Sequence, residues 1–127
     1  MLFRSLDKSD FGPLPPPQSR SDVIVHKEPK ITDKRTVVVA NGSTTSTLVY
    51  AVDGKPYVNH VGGIDATSVL RWDGPVLVME STLATPQGPV TVVDRFSLSA
   101  DGKTLTQART LTLEGKTATQ TIVMVKQ

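Results

Sequence analysis

From Ser21 onward the apolar positions fall in short clusters: Val37-Val38-Val39, Leu48-Val49-Tyr50, Val76-Leu77-Val78, Val90-Thr91-Val92-Val93 and Ile122-Val123-Met124-Val125. β-Branched and aromatic residues of this kind suit the pleated surface of a sheet. Between the clusters stand Asn41-Gly42, Asp53-Gly54, Gly62-Gly63, Asp73-Gly74, Gln87-Gly88, Asp101-Gly102 and Glu114-Gly115. Their spacing, roughly 9–14 residues, is close to that of sandwiches and barrels. Asn-Gly and Asp-Gly supply the positive φ that tight hairpin turns need. No segment holds a 3.6-residue apolar period, so no long helix is expected.

A strand between every pair of tight turns runs antiparallel to its neighbours. The pattern therefore predicts an all-β fold, an up-and-down meander of about eight or nine strands. Strand twist curls a meander of that length, and closure removes its exposed edges. A lipocalin-like barrel over residues 21–127 is the expected architecture, with a two-sheet β-sandwich as the alternative. Residues 1–20 differ in character and end near Phe11-Gly12-Pro13-Leu14-Pro15-Pro16-Pro17. Proline fixes φ and removes donors, so this stretch reads as an extended strap. It is expected to contribute no strand and few apolar contacts. Its other reading is a docking ligand for an SH3-like partner.

Alternation assigns faces. After Asp101-Gly102, Leu105, Gln107, Arg109, Leu111 and Leu113 share one face, and the leucines mark it as interior. Gln107 and Arg109 are thereby placed on the apolar side. A buried guanidinium needs a partner. Arg109 is either an anchor for a ligand carboxylate, half of an internal pair with Asp94 or Glu80, or a side chain snorkelling at a barrel end. Asp94 shares its face with Val92, Phe96 and Leu98, which makes a cross-strand pair with Arg109 feasible. Tyr50, Trp72 and Met79 also point inward. Tyr50, Trp72, Met79, Phe96, Gln107 and Arg109 are thus the candidate ligand-binding residues, and the aromatic ones otherwise fill the core.

Three passages carry a family likeness: Leu6-Asp7-Lys8-Ser9-Asp10-Phe11-Gly12-Pro13, Ser99-Ala100-Asp101-Gly102-Lys103-Thr104-Leu105-Thr106 and Val123-Met124-Val125-Lys126-Gln127. In that order they resemble small lipocalin-like proteins of uncharacterised function from Acidobacteria and related soil bacteria. Where that group often has a tryptophan before its Lys-Ser-Asp-Phe-Gly-like segment, this chain has Phe3 and Leu6. The resemblance implies export, hence a periplasmic or extracellular location. It brings no catalytic residues with it. Met1-Leu2-Phe3-Arg4-Ser5 is too short and polar for a signal peptide, so the chain is either not exported or, as the resemblance implies, has its export signal upstream.

Composition narrows the chemistry. A net charge of +2, with basic and acidic residues interspersed, offers no basic stripe for nucleic acid. The absence of cysteine excludes disulfides and thiol nucleophiles. The two histidines, His26 and His60, lack metal-type spacing. There is no Gly-x-Ser-x-Gly elbow, phosphate loop or dinucleotide fingerprint. Asn41-Gly42-Ser43 is better read as a turn than as a glycosylation site. No apolar run approaches the ~20 residues of a membrane helix. The expected function is non-catalytic binding of a small apolar or amphipathic ligand, with no metal or cofactor. The alternative is a structural or interaction module of the bacterial envelope with a filled core. A cavity of about 300 Å³ or more would favour the carrier.

Overall fold

Alternating residues and glycine turns fold into ten antiparallel strands, seen in a computed structural model that describes residues 2–4, 8–13, 16–61 and 63–127. They are β1 (Leu2–Arg4), β2 (Ser19–Lys27), β3 (Lys30–Val39), β4 (Gly42–Ala51), β5 (Tyr57–Val61), β6 (Ile64–Asp73), β7 (Val76–Thr85), β8 (Gly88–Leu98), β9 (Thr104–Leu113) and β10 (Lys116–Lys126). All belong to one sheet, ordered β4-β3-β2-β1-β10-β9-β8-β7-β6-β5. The sheet curls into a nearly closed barrel, with no helix among the described residues. The two-sheet sandwich is thereby set aside. Of the residues discussed above, Met1, Ser5, Leu6, Asp7, Leu14, Pro15 and Gly62 lie outside the described residues.

The barrel is not closed by a continuous ladder. β4 and β5 stand at the two ends of the strand order. Asn59, buried on β5, spans the space between them. Its Oδ1 accepts from the Val49 amide at 2.9 Å and its Nδ2 donates to the Val49 carbonyl at 3.1 Å. A primary amide carries the same donor and acceptor as a peptide group, so one side chain replaces one rung of the missing ladder.

The N-terminal strap departs from expectation. Leu2–Arg4 is a strand, paired with β10 (Phe3 opposite Lys126) and with β2 (Phe3 opposite Asp22). The Phe3 side chain is fully buried and packs with Leu105, Ile122 and Met124. β2 already begins at Ser19. The reason is the edge: without β1, the sides of β2 and β10 that face away from β3 and β9 would be unpaired at this level, and Phe3 is the apolar plug between them. Residues 9–11 lie along β10. Asp10 and Thr121 exchange two backbone hydrogen bonds of 2.7 Å, and Ser9 Oγ accepts from the Val123 amide at 2.7 Å.

Gly12 ends this docked stretch with φ of +60°, and a Cβ there would lie 2.4 Å from the Thr119 carbonyl oxygen. Both the backbone and the space exclude a side chain. Gly12→Ala should therefore lift residues 9–12 from β10 and destabilise by about 1–3 kcal/mol. Faster amide exchange at Asp10 and Thr121 would show it, and unchanged exchange at both would refute the account.

Candidate ligand cavity

Register brings charged residues together inside the barrel. On β8 and β9, Asp94 stands directly opposite Arg109. Arg109 donates from Nε to Asp94 Oδ1 at 2.8 Å and from Nη2 to Oδ2 at 3.3 Å. The internal partner is therefore Asp94. Glu80 lies outside, where it meets the exposed Arg71. On β2 and β3, Asp22 stands opposite Arg35. Inward positions alternate as Arg20, Asp22, Ile24 on β2 and Ile31, Asp33, Arg35 on β3, while Val23 and Val25 face out and are largely exposed.

These groups form one hydrogen-bonded chain across the barrel. Asp33 Oδ2 accepts from Arg35 Nη2 at 3.0 Å, and Arg35 Nε donates to Asp22 Oδ2 at 3.2 Å. Asp22 also takes two bonds from Arg20, 2.8 Å from Nε and 3.0 Å from Nη2. Arg20 Nη1 then donates to Gln107 Oε1 at 3.0 Å, and Gln107 Nε2 donates to Asp94 Oδ1 at 2.9 Å. The glutamine thus links an arginine to an aspartate. Arg20, Asp22, Asp94 and Gln107 are all nearly devoid of solvent contact. Buried charges persist only when paired and hydrogen-bonded in this way.

The carboxyls of Asp22 and Asp33 are driven apart. Burial acts first on both. At Asp33 it prevails over the attraction of Arg35, and the neighbouring Asp22 adds to it, pushing the carboxyl up to about 7. At Asp22, Arg20 and Arg35 outweigh burial and hold the carboxyl at about 2. Asp33 is thus the acid and Asp22 the anion of an adjacent pair. The stability Asp33 contributes is complete below the ordinary aspartate range near pH 4 and is lost as pH rises to about 7. That of Asp22 runs the other way, present above about pH 4 and lost toward pH 2. Asp33→Asn mimics the neutral acid. Relative to the parent protein it should gain roughly 2 kcal/mol between pH 5 and pH 8. Urea melts at the two pH values measure this, and a constant difference would refute it.

Two interior cavities flank this charged layer, each of about 160 Å³. The upper is lined by Asp33, Arg35, Tyr50, Trp72, Met79 and Phe96, among others. The lower is lined by Arg35, Tyr50, Met79, Ser81, Asp94 and Arg109, among others. Arg35, Tyr50 and Met79 border both and form the waist between them. The bonds from Arg35 and Arg109 use Nε and Nη2, leaving each Nη1 as a donor for a guest. Burial pushes the Tyr50 phenol up, so it stays neutral and can donate as well. A larger depression of about 490 Å³ lies among residues such as Val58, Asp65 and Thr82, but these are exposed positions on the outer face of the sheet.

Of the six residues singled out from sequence, Tyr50, Met79, Phe96 and Arg109 meet at the cavities. Trp72 is 44% exposed and stands at the mouth, donating from Nε1 to Glu28 Oε1 at 3.1 Å with the His26 ring 5.8 Å away. Gln107 lines neither cavity; it supports the charge chain. Arg20, Asp22, Asp33 and Arg35 were not anticipated. The alternation Arg20-x-Asp22-x-Ile24 and Ile31-x-Asp33-x-Arg35 carried the signal. Among the described residues, no group of His, Asp and Glu is arranged to hold a metal ion.

No family model matches the chain, and no curated sequence matches it significantly. Solved structures do share its form. A secretory abundant heat soluble protein from Ramazzottius varieornatus superposes with a TM-score of 0.72 at 11% identity, over 99% of this chain and 93% of that one. Zebrafish ileal bile acid-binding protein, complexed with cholic acid, gives 0.60 at 20% identity over 86% and 73%. The fatty-acid-binding protein of Manduca sexta gives 0.59 at 13% identity over 98% and 96%. At such identities the likeness concerns architecture, and what it shows is a nearly closed antiparallel β-barrel of the kind seen in these three proteins.

Proposed function

We propose that this protein binds a small amphipathic molecule inside its barrel, without chemistry, the apolar part in the upper cavity and the polar part on the charged layer. The observation that carries the reading is the waist. Arg35, Tyr50 and Met79 border both cavities, and Arg35, Arg109 and Tyr50 keep donors free toward them. Met79 is a flexible side chain that can yield to join the two spaces. Two neighbours in structure are named for binding bile acid and fatty acid, which supports a ligand of this general class. The size points to a short one. Each cavity is near the ~150 Å³ that holds a benzene-sized guest, below the ~300 Å³ of a preformed drug-sized site. The same small size favours the second reading, a structural module whose interior is filled by its own ion pairs. Export to the bacterial envelope fits either and rests on the sequence resemblance.

Trp72 is the single tryptophan, and it stands at the mouth. Medium-chain carboxylates should change its emission saturably, and native mass spectrometry of protein from its source should show a bound small molecule. If neither occurs up to millimolar ligand, the module reading stands instead.

A further inference from the structure

One polar atom in the barrel is left over. Asp33 Oδ1 is buried and receives no hydrogen bond, although Oδ2 of the same carboxyl is held by Arg35 and the adjacent Asp22 carboxyl can share the Asp33 proton. Such an atom normally costs stability. Asp33 is 94% buried by residue (6% exposed) and borders the upper cavity together with Arg35. The cavity wall therefore holds a carboxyl with an oxygen that no donor reaches, beside a guanidinium with a free Nη1. With Asp33 ionised, a bare anion would satisfy only the second. A group with a donor and an acceptor side by side would satisfy both.

Building on the ligand-binding reading above, we propose that the bound polar end is a carboxyl or carboxamide held by the Asp33 Oδ1 and Arg35 Nη1 pair, and that a carboxylate binds together with one proton shared with Asp33. The proton comes from solvent, resides on the Asp33 carboxyl and is donated to the ligand oxygen, while the other ligand oxygen accepts from Arg35. A carboxamide needs no proton, because its own N–H donates to Asp33 and its carbonyl accepts from Arg35. The charged and titratable neighbours of Asp33 are Arg20 and Asp22 from β2, Arg35 on its own strand and Tyr50 from β4, with His26 of β2 on the same cavity and Asp94 and Arg109 on the far side of Tyr50. Asp33 is the carboxyl among them poised near neutrality, so it is the group able to lend or withhold this proton. His26 at the mouth is the other candidate, and His26→Gln controls for it.

The test uses the whole chain with octanoate and octanamide between pH 5.5 and 9, by Trp72 emission and by calorimetry in two buffers of different ionisation enthalpy. Octanoate affinity should be level at low pH and fall by up to about tenfold per pH unit above 7. About one proton should be taken up per octanoate at pH 8. Octanamide should bind within about tenfold of octanoate at pH 8, with no proton uptake. His26→Gln should leave both profiles unchanged, and Asp33→Asn should keep octanamide and lose the octanoate slope. Octanoate binding that ignores pH, octanamide that fails where octanoate binds, or a slope abolished by His26→Gln would overturn the proposal and leave barrel binding intact. If neither compound binds at any pH, both readings fall. Proton counting on the unmodified protein keeps the test decisive even if Asp33→Asn does not fold.

Discussion

Asp22→Ala is expected to destabilise this protein by about 3–5 kcal/mol, the range seen when one partner of a buried ion pair is removed. Asp22 is 1% exposed and receives hydrogen bonds from two arginines. Its removal strands Arg20, itself only 6% exposed, with Gln107 as its remaining hydrogen-bond partner and no carboxylate bonded to it. Arg109→Leu should cost less, because Arg109 is 23% exposed and Gln107 still holds Asp94. Replacing Arg20 and Asp22 together with apolar residues should restore much of the loss, since a buried pair contributes little net stability over a well-packed apolar substitute. Urea unfolding of the three variants gives the ranking. An Asp22→Ala loss below about 1 kcal/mol would mean that the pair is solvated and the charge chain is not a buried structure.

Phe3→Ala should cost about 3–5 kcal/mol, the usual penalty for emptying a buried aromatic site. Phe3 is 1% exposed, near the start of the chain, and touches Leu105, Ile122 and Met124. It also sits in the strand that joins β2 to β10. Deletion of the first 17 residues is accordingly expected to abolish a cooperative unfolding transition, where the sequence alone suggested a dispensable strap. A truncated chain that melts cooperatively near the parent temperature would place Phe3 outside the core.

The barrel was legible because its hairpins carry their own chemistry. Asp73-Gly74, Gln87-Gly88, Asp101-Gly102 and Glu114-Gly115 each sit where one strand turns into the next, with their glycines at positive φ. The β2–β3 turn at Glu28–Pro29 has no glycine, so the two strands were not separated. β1 is three residues long, too short to show alternation. The inward face of β9 was readable because leucines flank Gln107 and Arg109. On β2 the signal is inverted: Val23 and Val25 point outward while Arg20 and Asp22 point inward. Hydrophobicity alone assigns that strand backwards, and only the partners on β3 and β9 make its polar face interior.

The space that Asn59 spans has a consequence for how the chain could be threaded. The Gln127 amide donates to the Leu2 carbonyl at 2.8 Å, so the two ends of the described chain are neighbours. Read from the other side, the strand order is β5 to β10 followed by β1 to β4. A circular permutant joined at residues 127 and 1 and opened within Asp53–Pro56 would have every paired strand adjacent in sequence. The one ladder of high sequence separation, β1 with β10, would become local, while the contacts of β5 with β4, Asn59 to Val49 among them, would become the distant ones. Every ladder of the permutant would then form between sequence neighbours, and closure of the seam at Asn59 would be what is left to long-range contact.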